Sequence, residues 1–277
     1  MNNLTEDNLI VGDIKLFCHC WESKNPNQIA TVLLIHGFGD HGGASPYQLL
    51  AKKLTFAGYK VYSYDARGHG KSLGERGFIN NWQEYREDLR SFFEHVKNRE
   101  KPSPIFLIGI SLGALVMLDY ILHYPENIKG VVSVSTPIGK VGASPLMLAI
   151  GQLLSKVFPR LVITPKLDLN NVSRDLEMAR AYINDPLFHQ RGTARFVSEF
   201  LKTADNVRNQ ASAVKLPFLM LHGGDDKIAV NDESFFESIT SKDKEKKIYP
   251  KAYHNLFLEI NKEEIFQDIE IWLRQHC

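Results

Sequence analysis

At 277 residues the chain is long enough for one large α/β domain or two small ones. Hydrophobic residues make up 44% and charged residues 23%, an ordinary globular balance, and a net charge of +1 leaves no electrostatic footprint for nucleic acid or an anionic membrane. The N-terminal MNNLTEDNLI lacks the basic region and apolar core of a secretory leader, and no apolar run approaches the ~20 residues of a spanning helix.

Taken in order, two apolar alternations over residues 9–21 flank Gly12-Asp13 and predict a hairpin. Asn25-Pro26-Asn27 reads as a turn. A buried strand over 31–35 ends abruptly at His36-Gly37-Phe38-Gly39, and a helix over 46–57 closes on Gly58. The next strand, 59–64, leads through Asp65 into the glycine-rich Arg67-Gly68-His69-Gly70-Lys71-Ser72. Helical periodicity covers 82–97, and Pro102 and Pro104 reset the chain. Strands follow at 105–108, 128–134, 216–221 and 246–249, with helices at 114–124, 231–239 and 262–275. Near-continuous apolar strands alternating with helices predict a mostly parallel sheet covered on both faces. Only residues 136–213 break the alternation, with helical material and no convincing buried strand. That is too long for a connection, so it predicts an inserted helical cap, with the core formed by 1–135 and 214–277. A cap leaving from the carboxyl end of a parallel strand would sit over the site.

The chain's chemistry centres on Gly109-Ile110-Ser111-Leu112-Gly113, a G-x-S-x-G between a strand and a helix. A sharp turn there holds a serine hydroxyl proud of the sheet, while glycines on either side let backbone approach closely. Taken alone, Ser111 could equally be a helix N-cap. A nucleophilic serine needs a base and a group to orient that base. Asp226 and His254 both fall in loops after sheet strands, in the order Ser, Asp, His expected of this architecture. Asp225 competes with Asp226, and register favours Asp226. Of ten histidines, His36 and His69 read as braces beneath their own turns, and His222 has no assigned partner. The N–H groups of Leu112 and Phe38 are placed to receive an oxyanion.

These residues resemble the monoacylglycerol lipase and lysophospholipase group of serine α/β-hydrolases. The resemblance rests on HGFGDHGG at His36, DARGHGKSLGER from Asp65, GISLG around Ser111, NDPLFHQR from Asn184, LHGGDDKIAV at Leu221 and YHNLFLE from Tyr253. It covers nearly the whole chain from about residue 30. It implies the α/β-hydrolase fold, a triad of Ser111, Asp226 and His254, and oxyanion donors at Phe38 and Leu112. Two stretches depart from the group's pattern, Phe38 itself and Gly42-Gly43-Ala44-Ser45-Pro46-Tyr47, and both are expected near the acyl pocket.

The expected reaction is cleavage of a single-chain lipid ester through an acyl-enzyme, with no metal or organic cofactor. Two alternatives are an esterase or thioesterase for short soluble acyl groups and a non-catalytic binder on the same fold. Within the cap, a helix over 146–158, LMLAIGQLLSKVF, is apolar around most of its circumference. It predicts a lid that touches a membrane or micelle with one face and lines an acyl tunnel with the other. Cys18, Cys20 and Cys277 form no paired framework, so reduced thiols in the cytoplasm, with peripheral membrane contact, are the expectation.

Overall fold

The computed structural model describes residues 4–23, 25, 28–100, 102–139, 145–163, 168–229 and 233–277. Its centre is one eight-stranded sheet in the order β1-β2-β4-β3-β5-β6-β7-β8. β1 (Leu4–Val11) and β2 (Ile14–Trp21) form the expected hairpin, with Gly12 at φ 59° in its turn. Glycine adopts that left-handed conformation without a Cβ penalty. β2 joins β4 (Tyr59–Tyr64) antiparallel. From β4 onward every pairing is parallel, through β3 (Ala30–Ile35), β5 (Ile105–Ile110), β6 (Gly130–Val134), β7 (Phe218–Gly223) and β8 (Lys244–Tyr249).

The continuous apolar strands are buried on both faces, and their period of two divides them between two cores. Leu33, Leu107, Phe218 and Met220 face one core, with α2 (Gln83–Arg99) and α3 (Leu112–His123). Val32, Phe106, Ile108, Leu219 and Leu221 face the other, with α1 (Ser45–Phe56) and α8 (Lys262–Gln275). Gly130 marks how tightly the second core closes: a Cβ there would lie 2.7 Å from the Trp272 ring.

Element boundaries differ from the expected ones by a few residues. β5 runs to Ile110 and α3 starts at Leu112, so a single residue, Ser111, makes the whole turn. α7 is described over Glu233–Ser238, and the expected start of that helix lies outside the described residues. So do Pro26 and Asn27 of the expected turn.

Between β6 and β7 the chain forms α4 (Pro145–Val157), α5 (Leu176–Ile183) and α6 (Ala194–Asn209). Among the described residues its only β pairing is one bridge between Val162 and Thr193. α5 starts where the Asp175 carboxylate accepts the Met178 N–H, and α6 where the Thr193 hydroxyl accepts the Phe196 N–H. The stretch 188–192 lies directly on the core loops. His189 N–H donates to the Gly39 carbonyl, and Thr193 to that of Gly77. A Cβ on Gly39 or Gly77 would come within 1.8 Å of the His189 or Arg191 carbonyl oxygen.

Candidate active site

The turn at Ser111 is built by exclusion. A Cβ on Gly109 would lie 2.6 Å from the Gly113 carbonyl oxygen, and one on Gly113 would lie 2.1 Å from that of Ile35. Both glycines of the G-x-S-x-G are therefore required where the helix crosses the sheet. Ser111 itself has φ 52° and ψ −119°, an outlier for a residue with a side chain that costs about 1–3 kcal/mol. The surrounding frame holds it there: Ser111 N–H donates to the Val134 carbonyl, and the Ser111 carbonyl accepts from Ala114 and Leu115. The Ser111 side chain does not cap α3; its hydroxyl points to a histidine instead.

That histidine is His254, whose Nε2 lies 2.9 Å from Ser111 Oγ. His254 Nδ1 lies 2.8 Å from Oδ2 of Asp226, whose side chain is fully buried. Asp226 Oδ1 accepts the N–H groups of Ile228 and Ala229 at 2.8 and 2.9 Å. Burial pushes the Asp226 carboxyl upward. The hydrogen bond and charge of His254 and the two backbone donors outweigh it and hold the group below its ordinary value. Asp226 is thus an ionised acceptor that fixes the ring so that Nε2 faces the serine. Asp225 is exposed, and its N–H donates to the Ala252 carbonyl. His222 has a partner after all: it is buried, its Nε2 donates to the Ala229 carbonyl at 2.8 Å, and burial keeps it neutral.

Ser111 and His254 open on a cavity of about 170 Å³ lined mainly by Phe38, Val172, Tyr182, Phe188 and Ile228. Phe38 stacks on Phe196 of α6 at 4.8 Å and meets His189 edge-on at 5.7 Å. Among the described residues neither the Phe38 nor the Leu112 N–H has a hydrogen-bond partner. The loop carrying Phe38 is held by a chain of hydroxyls. Gly37 N–H donates to Tyr47 Oη (2.9 Å), and Tyr47 and Tyr182 both donate to Oδ2 of Asp40, at 2.8 and 2.9 Å. Burial pushes the Asp40 carboxyl up to about 6 despite His41 and these donors. His36 and His69 brace their own turns, as expected: His36 Nδ1 donates to the Gly37 carbonyl while its Nε2 accepts the Ala66 N–H, and burial lowers both histidines.

Three features were not read from the sequence. The first is the Asp40–Tyr47–Tyr182 chain, whose members lie up to 142 residues apart. The second ties the His254 loop to the segment before α5. His254 and Asn255 N–H donate to the carbonyls of Asn171 and Val172, and Ser173 Oγ donates to that of Leu258. Arg174 Nε pairs with buried Glu259 at 2.7 Å, and Glu259 accepts the Tyr253 N–H at 2.8 Å. Glu259 closes the YHNLFLE stretch, so the motif included it without suggesting its role. The third is a buried group of His19, His41 and Asp65, whose donor atoms lie within 4.8 Å of one another. That is close enough for a metal, but both carboxylate oxygens already accept, from His19 Nε2, Gly42 N–H and Lys71 N–H. We read it as a hydrogen-bonded knot. Gly42 and Gly43 fit against it, with Cβ positions 2.6 Å from Ser63 Oγ and the His19 ring. The two glycines are absent from the cavity lining, but both departures reach it as expected, one through Phe38 and the other through Tyr47 at the end of its stretch.

An eight-stranded, mostly parallel sheet with a serine at a strained strand-to-helix turn, backed by histidine and aspartate, defines a serine α/β-hydrolase. Comparison with known proteins refines this. A family model described as serine aminopeptidase, S33, matches residues 26–261. The chain is 28% identical to a monoacylglycerol lipase of Mycolicibacterium smegmatis, over 96% of this chain and 95% of that one. The crystal structure of Paleococcus ferrophilus monoacylglycerol lipase superposes with a TM-score of 0.85 at 32% identity, over 95% of this chain and 99% of that one. A soluble variant of Saccharomyces cerevisiae monoglyceride lipase, in complex with a substrate analogue, gives 0.87 at 25% identity, over 100% and 96%. The chain belongs to the serine aminopeptidase S33 family, and within it to the monoacylglycerol lipase group of serine hydrolases.

Proposed function

We propose that the chain hydrolyses single-chain lipid esters, monoacylglycerols or lysophospholipids, through an acyl-enzyme on Ser111. His254 Nε2 takes the proton as Ser111 Oγ attacks the ester carbonyl, and Asp226 stabilises the resulting imidazolium. The Phe38 and Leu112 N–H groups receive the oxyanion. His254 then returns its proton to the departing alcohol, and water releases the fatty acid by the same steps in reverse.

The observation that carries this reading is the 2.9 and 2.8 Å relay from Ser111 through His254 to Asp226, opening on an apolar cavity. The cavity also argues against a peptidase specific for amino termini, because among the described residues no aspartate or glutamate lines it to receive an ammonium group. The decisive experiment is hydrolysis of monoacylglycerols of increasing chain length by wild type and Ser111→Ala. Turnover that peaks at medium or long chains and vanishes in the variant supports the reading. Turnover confined to the shortest esters favours a soluble-ester esterase. Equal near-zero rates, with no fluorophosphonate labelling, leave a binder.

We further propose that residues 136–213 act as a cap that docks on lipid through α4. Leu146, Leu153 and Val157 are 70, 61 and 57% exposed, too much apolar surface on one short helix for a face meant only for water. The neighbouring stripe, with Met147, Ile150 and Leu154, borders a groove of about 500 Å³ between α4 and α6. Among the described residues no α4 side chain lines the Ser111 cavity, so this proposal rests on the exposed surface of the helix. Among the described residues no helix is long and apolar enough to cross a membrane. Three free thiols suit a reducing, cytoplasmic compartment with peripheral contact.

A further inference from the structure

Asn255 follows His254, lines the Ser111 cavity and is almost fully buried. Its backbone is engaged on both sides, N–H to the Val172 carbonyl and carbonyl to the Leu258 N–H. Its side chain is not: Oδ1 is buried without a hydrogen-bond partner, and the amide makes no hydrogen bond among the described residues. Every other polar side chain of the cavity is occupied. Ser111 and His254 bond each other, Tyr47 and Tyr182 serve Asp40, His189 joins the Gly68 carbonyl and the Arg191 N–H, and Gln190 has a partner of its own. An amide whose oxygen is desolvated beside a reacting centre, with nothing among the described residues to satisfy it, is a group whose partner is the ligand.

We infer that Asn255 binds a free hydroxyl of the leaving alcohol, so that it selects esters of polyols over esters of simple alcohols with the same acyl chain. The chemistry of the neighbouring histidine places that hydroxyl. His254 Nε2 protonates the departing oxygen, so the alcohol leaves from beside residue 254, and a hydroxyl one carbon further falls within reach of residue 255. A hydroxyl both donates and accepts, and either end of the amide can serve it. This rests on the lipid-ester reading and adds what recognises the alcohol half, which an apolar cavity does not discriminate.

The test compares kcat/KM for 1-monooctanoylglycerol and ethyl octanoate, with identical acyl groups, in wild type, Asn255→Ala and Asn255→Leu. We expect wild type to favour the glyceryl ester. Both variants should lose about 3- to 10-fold on it, the worth of one neutral hydrogen bond, and stay within about twofold on the ethyl ester. Asn255→Leu supplies a second readout. If the amide serves only the substrate, replacing it with an apolar isostere relieves an unmet burial penalty and leaves Tm unchanged or raised. Equal losses on both esters, no loss on either, or a lowered Tm in Asn255→Leu would overturn the inference and make Asn255 a structural residue. Wild type that cleaves both esters without preference overturns this inference alone. Wild type that cleaves neither overturns the lipid-ester reading with it.

Discussion

Removing Arg174 tests whether the segment before α5 holds His254 in place. Glu259 has no exposed side-chain surface and Arg174 is 23% exposed, so Arg174→Met strands a carboxylate that cannot reach water. Breaking a buried pair from one side costs about 3–5 kcal/mol. Two features bring the estimate down: the guanidinium is partly screened, and the carboxylate keeps N–H donors from Tyr253, Arg174 itself and Ile260. About 2–3 kcal/mol remains, a drop in Tm of roughly 5–10 °C for a chain of this size. Glu259 accepts the N–H of Tyr253, the residue before His254, so the loss should also appear in kcat, about tenfold, with KM nearly unchanged. Thermal denaturation and steady-state hydrolysis of a p-nitrophenyl ester read both. Arg174→Lys should restore part of kcat. Arg174→Met with Glu259→Gln, which removes the stranded charge, should be less destabilised than the two single changes summed. A destabilisation below about 1 kcal/mol together with kcat within twofold of wild type would refute the reasoning.

Other changes separate the remaining parts of the site. Ser111→Ala should lower kcat by about 10⁶-fold and abolish fluorophosphonate labelling, and Asp226→Asn should lower it by about 10⁴-fold without changing the fold. Asp40 binds its proton more tightly folded (about 6) than unfolded (about 3.9), so its contribution to stability is full below pH 4 and lost as pH rises through 6. Against Asp40→Asn, wild type should therefore lose about 2 kcal/mol between pH 4 and 7, and parallel unfolding curves across that range would contradict the burial argument. Gly113→Ala brings a Cβ to 2.1 Å from a backbone oxygen, and soluble protein should not accumulate; a folded, active variant would show that α3 can shift. Leu146→Ser with Leu153→Ser and Val157→Ser should weaken sedimentation with phosphatidylcholine vesicles about tenfold while sparing a water-soluble ester, and unchanged partitioning would remove α4 from the lipid contact.

What could be read in advance follows the range of the forces involved. Strands of the core are apolar on both faces because both faces are buried, so runs such as 105–108 announce themselves without knowledge of their neighbours. The serine turn is equally local: two glycines with no room for a Cβ must flank it, and they stand two residues either side of Ser111. Parallel topology then carries the loops after β7 and β8 to the edge where Ser111 sits, which is why strand order alone pointed to Asp226 and His254. The polar ties between the segment joining β6 to β7 and the rest of the chain have no such signal. Tyr182 meets Asp40 across 142 residues and Arg174 meets Glu259 across 85, and a tyrosine or arginine in an amphipathic helical stretch looks the same whether it faces water or a buried carboxylate. The surroundings of α4 were hidden for a related reason. A helix apolar around most of its circumference says that most of it avoids water, but only the fold decides that part of it borders a groove against α6, while Phe38 and Phe188 line the cavity beside Ser111. Asn255 shows the converse: one residue past a recognisable histidine, its importance lies in a hydrogen bond the protein does not supply, which becomes visible only once every neighbour's partner is known.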